Sequence, residues 1–251
     1  MRHLLAVPAL LALATCVQGE DCRYEAPRRA TVDAKGAERV TIHAEAGSLE
    51  VLGTKGTEVK VDGRACASSE SRLEDVRLEA ERQGATVRVA ARIPESGAWN
   101  DSAALHLVVE VPSGLAVEVE DSSGWLKVTG VRSLRLEDGS GDIEIDDVAG
   151  DVSVKDGSGS IDIEGVQGNV RLEDGSGGID LRDVTGDVEV VDDGSGGIEA
   201  NAVKGSVRVR HDGSGDISVH DVGGDFVVDE DGSGGIDYEG VEGQVKIPSR
   251  K

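Results

Sequence analysis

The sequence predicts an all-β protein, a parallel β-helix or β-solenoid with 18–19-residue rungs behind a less regular N-terminal β region. Three observations lead there. Aromatic residues make up only 2% of 251 residues while glycine occurs 35 times, so there is little material for a core of bulky side chains. The apolar residues are mostly Val, Ile, Leu and Ala, and the β-branched ones suit a pleated surface. The tetrapeptide DGSG begins at Asp138, Asp156, Asp174, Asp193, Asp212 and Asp231, in steps of 18, 18, 19, 19 and 19 residues.

Taken from the start, residues 1–19 read as a signal peptide. Arg2 is basic, Leu4 to Ala14 is apolar, and Val17 and Gly19 are small or permissive before Glu20. The run is shorter than the roughly 20 residues that span a bilayer, and no later segment approaches that length. A lipoprotein signal acylated at Cys16 is the competing reading, but Thr15 is an awkward neighbour for it, and cleavage near Gly19 is preferred. Export then bears on the cysteines. With Cys16 removed, Cys22 and Cys66 are an even pair and are expected to form a disulfide; the rival, a metal site, lacks ligands, because two thiols without nearby histidines are too few for zinc.

Residues 20–112 form the N-terminal β region, expected to be continuous with the solenoid. Leu49/Val51 and Val59/Val61 alternate with polar residues, and the stretch from Glu74 to Arg92 reads as a hairpin across Gln83-Gly84. A polar loop from Pro94 to Ser102, with Trp99 in it, interrupts the pattern. Asp121-Ser122-Ser123-Gly124 is a degenerate first copy of the turn, which puts the repeat solenoid at residues 113–251.

Within the repeat, each turn is preceded by an apolar pair such as Val152/Val154 or Val188/Val190 and followed by another such as Ile161/Ile163 or Ile217/Val219. A single valine then precedes a glycine-containing corner, at Val148, Val166, Val184, Val203, Val222 and Val241. Period-two alternation means strands with one buried face, so Ile163 should point inward and Asp162 outward. A unit with two short strands cannot close a core alone and must stack on its neighbour, like strand on like strand about 4.8 Å apart. The additional residue before Asp193, Asp212 and Asp231 reads as a one-residue bulge. A sandwich of hairpins is the alternative, disfavoured by the constant register of the apolar columns.

The DGSG turn itself reads as architecture, since Gly accepts positive φ and Asp can bond its own backbone. Calcium binding is the functional alternative. The nonapeptide calcium repeat does not fit, because aligning Asp156-Gly157-Ser158-Gly159 on its start puts Ile161 where a liganding Asp is needed.

The order GSLEVLGTKGTEVKVDGRA, then VEVPSGLAVEVED, then GSGDI-type turns alternating with V-x-G-x-V-x-V segments, resembles the putative-adhesin family of exported bacterial β-solenoid domains, whose function is unknown. The resemblance covers nearly all of the chain after the leader. It implies a β-helical fold and a bacterial periplasmic, cell-surface or secreted location, and it transfers no catalytic residue.

Charge and side-chain inventory narrow the function. With 26 Lys+Arg against 49 Asp+Glu the net charge is −23, which leaves no basic footprint for nucleic acid. His43, His106, His211 and His220 are scattered, and Ser140, Ser158 and their equivalents are repeated turn residues, whereas a nucleophile would be singular. No catalytic residue is therefore expected, and no cofactor. Glu144, Asp162, Asp180, Glu199 and Asp237 share one outward column, broken at Ser218, and are the weak candidates for calcium. Pro248, Arg250 and Lys251 at the end of the chain discourage end-to-end pairing, so a monomer is expected. The leading expectation is a non-enzymatic envelope or surface solenoid that contacts cell-envelope glycans or proteins; a cation-binding module and a polysaccharide-processing β-helix enzyme are the alternatives.

Overall fold

The computed structural model describes residues 22–94 and 102–248. The leader, Cys16, Trp99 with most of its loop, Arg250 and Lys251 lie outside the described residues. The N-terminal part contains β1 (Tyr24–Asp33), β2 (Arg39–His43), β3 (Leu49–Thr54), β4 (Glu58–Ala67), a short helix α1 (Glu70–Asp75), β5 (Arg77–Gln83), β6 (Thr86–Arg92) and β7 (Ala103–Pro112). Then come β8 (Ala116–Glu120), β9 (Leu126–Thr129), β10 (Ser133–Glu137), β11 (Ile143–Asp146), β12 (Val152–Asp156), β13 (Ile161–Val166), β14 (Val170–Asp174) and β15 (Ile179–Val184). The chain ends in β16 (Val188–Asp193), β17 (Ile198–Val203), β18 (Val207–Asp212), β19 (Ile217–Val222), β20 (Phe226–Asp231), β21 (Ile236–Val241) and β22 (Val245–Lys246).

These strands make two 11-stranded sheets, and from β8 onward the chain alternates between them. The solenoid is thus a two-sided slab. Sheet A runs β1-β4-β7-β3-β9-β11-β13-β15-β17-β19-β21, and sheet B runs β22-β20-β18-β16-β14-β12-β10-β8-β2-β6-β5. The DGSG turns carry the chain from B to A along one edge, and the valine corners return it along the other. Like strands pair in parallel: Ile161 lies opposite Ile179, and Val152 opposite Val170. Ile163 is fully buried while Asp162 stands on the outer face, as the alternation requires.

The 18-to-19 change is resolved as a single event. Between β14 and β16 the register shifts after Leu172, so that Glu173 pairs with Asp192 and Val191 is left over. β16 and β18 then pair in register, Val190 with Val209 and Asp193 with Asp212. The extra residue recurs in the sequence because each later rung must copy the rung it stacks on.

Stacking also explains the turn glycines. Gly159 has φ 140°, and a Cβ there would lie 1.8 Å from the carbonyl oxygen of Gly141 one rung away. The turns bond to each other as strands do, Gly159 N–H donating to Ser176 O at 3.0 Å and Gly157 N–H to Asp138 O at 3.2 Å.

The two ladders continue upstream of residue 113. β2 and β3 pair in parallel with β8 and β9, joined by Ala44-Glu45-Ala46-Gly47 with no DGSG. Beyond them the regularity ends: β6 and β7 are still parallel to the stack, but β5, β4 and β1 are antiparallel additions, the β5–β6 pair being the expected hairpin. Cys22 is disulfide-bonded to Cys66, with 5.3 Å between Cα atoms, and Arg28 donates to the carbonyls of Leu73 and Val76 at 2.7 and 2.8 Å. These links pin β1 and α1 to the end of the stack. At the opposite end Phe226, the one phenylalanine of the chain, is fully buried, 6.0 Å from the ring of Tyr238 in the last rung.

Candidate functional site

The outer face of sheet A holds the acidic column, and strand pairing shows that it is part of a longer row. Glu144, Asp162, Asp180, Glu199, Ser218 and Asp237 are consecutive neighbours across β11 to β21. In the other direction the row continues through Lys127, Glu50, Val108, Asp62 and Arg29, so it crosses the whole sheet. The column is not bare. Lys127 Nζ is paired with Glu144 and lies 2.9 Å from Asp146, and those hydrogen bonds hold its ammonium above the usual lysine range. Arg182 Nη2 lies 3.1 Å from Asp162 and 3.2 Å from Asp180. The Asp180 carboxyl is pushed up, mainly by burial and further by Asp162 and Glu199, against the opposing pull of Arg182. The carboxylates stand in single file, one per rung, and among the described residues no three His, Cys, Asp or Glu side chains gather as a metal would need.

At its N-terminal end this row becomes one bank of a groove of about 570 Å³. The other bank is the parallel row Arg64, His106, Ser48 and Trp125, two residues along the strands and so about 7 Å away. Trp125 is 43% exposed and Val108 37%, and both line the groove together with Gly63, where a Cβ would meet Arg28 O at 2.9 Å. Around this apolar centre lie Arg29 with Asp62 at 2.5 Å and Arg64 with Glu25 at 3.1 Å. Ser48 N–H donates to His106 Nδ1 at 3.1 Å, which fixes the ring proton of the neutral imidazole on Nε2. The groove therefore offers an indole face, a carboxylate, guanidinium donors and a hydroxyl within one shallow depression.

The histidines do not converge. His43 sits 3.1 Å from Glu120, His211 lies 3.4 Å from Glu230, and His220 contacts the Ser218 hydroxyl at 3.0 Å. The groove was not visible in the sequence because its residues come from β1, β3, β4, β7 and the turn before β9. One sequence signal could have found it. In the repeat, the position before the first strand residue of sheet A is Asp142, Ser160 or Gly178, and only in the first copy is it tryptophan.

A second feature lies along the DGSG edge. The turn aspartates face into the slab rather than solvent: Asp121 and Asp138 are 8% exposed, and Asp193 and Asp212 are fully buried. Asp156 Oδ1 accepts from the N–H of Gly157 at 2.8 Å, the local bond expected of a turn aspartate, while its Oδ2 has no donor. At the N-terminal end a groove of about 640 Å³, lined by His43, Arg92 and Lys155 among others, reaches Asp121, Asp138 and Asp156.

A family model described as Toastrack DUF4097 matches residues 82–249. Among solved structures, a putative adhesin from Bacteroides fragilis is 14% identical, with a TM-score of 0.52 over 90% of this chain and 98% of its own. A putative lipid binding protein from Parabacteroides distasonis is also 14% identical, with a TM-score of 0.43 over 89% of this chain and 97% of its own. A putative cell adhesion protein from Clostridium sporogenes is 11% identical, with a TM-score of 0.35 over 89% and 100%. No curated protein matches. The first of these likenesses establishes a shared fold. Among the described residues no helix is long and apolar enough to cross a membrane.

Proposed function

This chain belongs to the Toastrack DUF4097 family, and from that premise we propose that it is an exported bacterial surface or periplasmic β-solenoid that binds saccharides of the cell envelope without transforming them. The observation behind this reading is the Trp125 groove. A sugar ring presents C–H groups on its faces and hydroxyls on its rim, so it needs a flat apolar platform edged by donors and acceptors. Trp125 and Val108 supply the platform; Glu50, Ser48, His106 and Arg64 supply the edge. Trp125 and Val108 are both exposed and line the same groove, so the apolar surface there is a patch and not a lone side chain. The names of two neighbours above, both concerned with adhesion, are in keeping with a binding role.

The test is a glycan array with the mature protein, followed by calorimetry on the best ligand. Trp125→Ala should weaken binding at least tenfold, with the melting temperature unchanged because the side chain is exposed, and the ligand should be recovered intact. Equal binding by the variant, or cleavage of the glycan, overturns the reading.

A further inference from the structure

The deepest unexplained feature is the buried carboxyl column at the DGSG edge, which the saccharide reading does not use. Burying a carboxylate without a compensating donor is expensive, and such groups are expected to be paired or neutral. Here they recur in every rung. Neither oxygen of Asp174, Asp193 or Asp212 has a hydrogen-bond donor in good geometry, and Asp156 lacks one for Oδ2. The strand ladders set Asp156 beside Asp174, Asp174 beside Asp193, and Asp193 beside Asp212. Asp193 and Asp212 act directly on each other's ionisation, and Asp231 acts on that of Asp212, as neighbouring carboxyls on adjacent rungs do. Two ionised carboxylates have no hydrogen to put between them; one carboxylic acid and one carboxylate do.

We propose that Asp156, Asp174, Asp193 and Asp212 bind protons as a group, sharing them from rung to rung as O–H···O bonds, so that this edge of the slab is a proton-binding column whose loading follows the pH outside the cell. Each proton comes from solvent and sits between the oxygens of adjacent rungs; no other group is consumed or released. The groove at the N-terminal end, where Asp121 and Asp138 are slightly exposed, gives solvent a way to the column.

The surrounding charges do not replace the protons. On the sheet B side the flanking outward residues are Glu137, Lys155, Glu173, Asp192, His211 and Glu230, of mixed sign and directed to solvent. His211 acts on Asp212 in the opposite direction, favouring ionisation, but it is the least of the influences there. On the sheet A side Asp142 and Asp216 follow their turns and accept from Ser160 and Gly235. At the groove His43, Glu45, Arg92 and Glu120 line the opening. The N–H groups of the turn residues next in sequence also favour ionisation, yet burial outweighs them at Asp138, Asp156 and Asp174. Burial and the neighbouring aspartates together push Asp156 up to about 6 and Asp193 up to about 7. A cation could in principle take the protons' place, but the file of single carboxyls gathers no cage for one.

The experiment is a carboxyl-carbon NMR titration of the full mature chain, with Asp142 as internal control, since its bonds from Ser160 hold it below the usual aspartate range. The expected result is midpoints near 6 for Asp156 and near 7 for Asp193, well above Asp142. Asp193→Asn, isosteric and neutral, should leave the fold intact and shift the midpoint of Asp212. Should that variant misfold, the wild-type titration decides alone. Midpoints for Asp156 and Asp193 in the ordinary range near 4 overturn the proposal. So does a calcium-induced rise in melting temperature at neutral pH that disappears in Asp193→Asn, which would make the column a metal site.

Discussion

At one edge of the slab Val131, Val148, Val166, Val184, Val203 and Val222 stack with at most 1% of their surface exposed. At the other edge Asp121, Asp138, Asp156, Asp174, Asp193 and Asp212 stack at 8% or less. Both columns are one residue per rung, both close a corner between the same two sheets, and both are shielded by the rungs above and below. Only the valine column gains from being buried, at about 25 cal/mol per Å² of apolar surface. The aspartate column must recover its desolvation from turn N–H groups and from protons. A corner can therefore be made without carboxyls, and their presence at one edge alone separates what stacking requires from what it merely tolerates.

The largest effect should come from exchanging the two characters. Val184→Asp puts a charge where no donor waits, at an expected cost of about 3–5 kcal/mol, whereas Asp174→Val removes a buried carboxyl and loses only a turn contact, and should stay within about 1 kcal/mol at neutral pH. Denaturant melts of the two variants decide it; equal losses would mean that the aspartate is as indispensable to its corner as the valine is to the other.

Backbone contact between rungs comes next. Gly159→Ala drives a Cβ into the Gly141 carbonyl from a positive φ, while Gly178→Ala, one turn position from the next rung's strand, meets nothing within 4 Å. The first should cost about 2–4 kcal/mol and the second at most about 1. A tolerated Gly159→Ala would mean that the turns are not as tightly stacked as the strands.

The pH response distinguishes the edges more finely. The folded value of Asp156 is raised, so its contribution is fully present below the unfolded aspartate value of about 3.9 and is lost as pH rises through about 6. Asp156→Asn should therefore melt like wild type at about pH 3.5 and a few degrees above it, about 2–4 °C, at about pH 8. Val166→Ala, its counterpart at the other edge, should lower the melting temperature equally at both. A pH-independent gap for Asp156→Asn would contradict a neutral carboxyl.

The smallest effect belongs to the valine edge. The residue just before each corner valine is left-handed: Asp147, Gly165, Asp183, Ala202, Asp221 and Gly240 have φ between 53° and 74°. Ala202 is the odd member, and Ala202→Gly should stabilise by roughly 0.5–1 kcal/mol by relieving its Cβ. No gain would show that the strain is absorbed elsewhere in the corner.

The two edges were not equally legible in the sequence. The valine corner and the strand columns follow from alternation alone, because apolar residues at fixed offsets have one place to go. Glu144, Asp162, Asp180, Glu199 and Asp237 were likewise assigned to one outward column by spacing, and strand pairing puts them there. The burial of the DGSG aspartates was not legible, since Asp beside Gly and Ser has the local chemistry of a solvated turn, and only the close stacking of one turn on another removes the water. Lys127 and Arg182 were missed as partners of the acidic column because they stand on neighbouring rungs or in the adjacent row. The Trp125 groove was hidden for a different reason: its banks are assembled from parallel and antiparallel strands together, and their order in the sheet does not follow their order in the chain.

The single register shift after Leu172 has a consequence for how the slab can change length. From Asp138 up to it the quantum of length is 18 residues and beyond it 19, the rung from Asp121 to Asp138 being 17, and a strand moved by one residue turns its core side to the solvent. Excising Asp193 through His211, 19 residues, would shorten the slab by one storey and leave every remaining side chain on its own side. Excising 18 from the same place would invert all that follows. The DGSG repeat is in this respect masonry laid in two brick sizes with one mortar joint between them, extensible within either course but not across the joint.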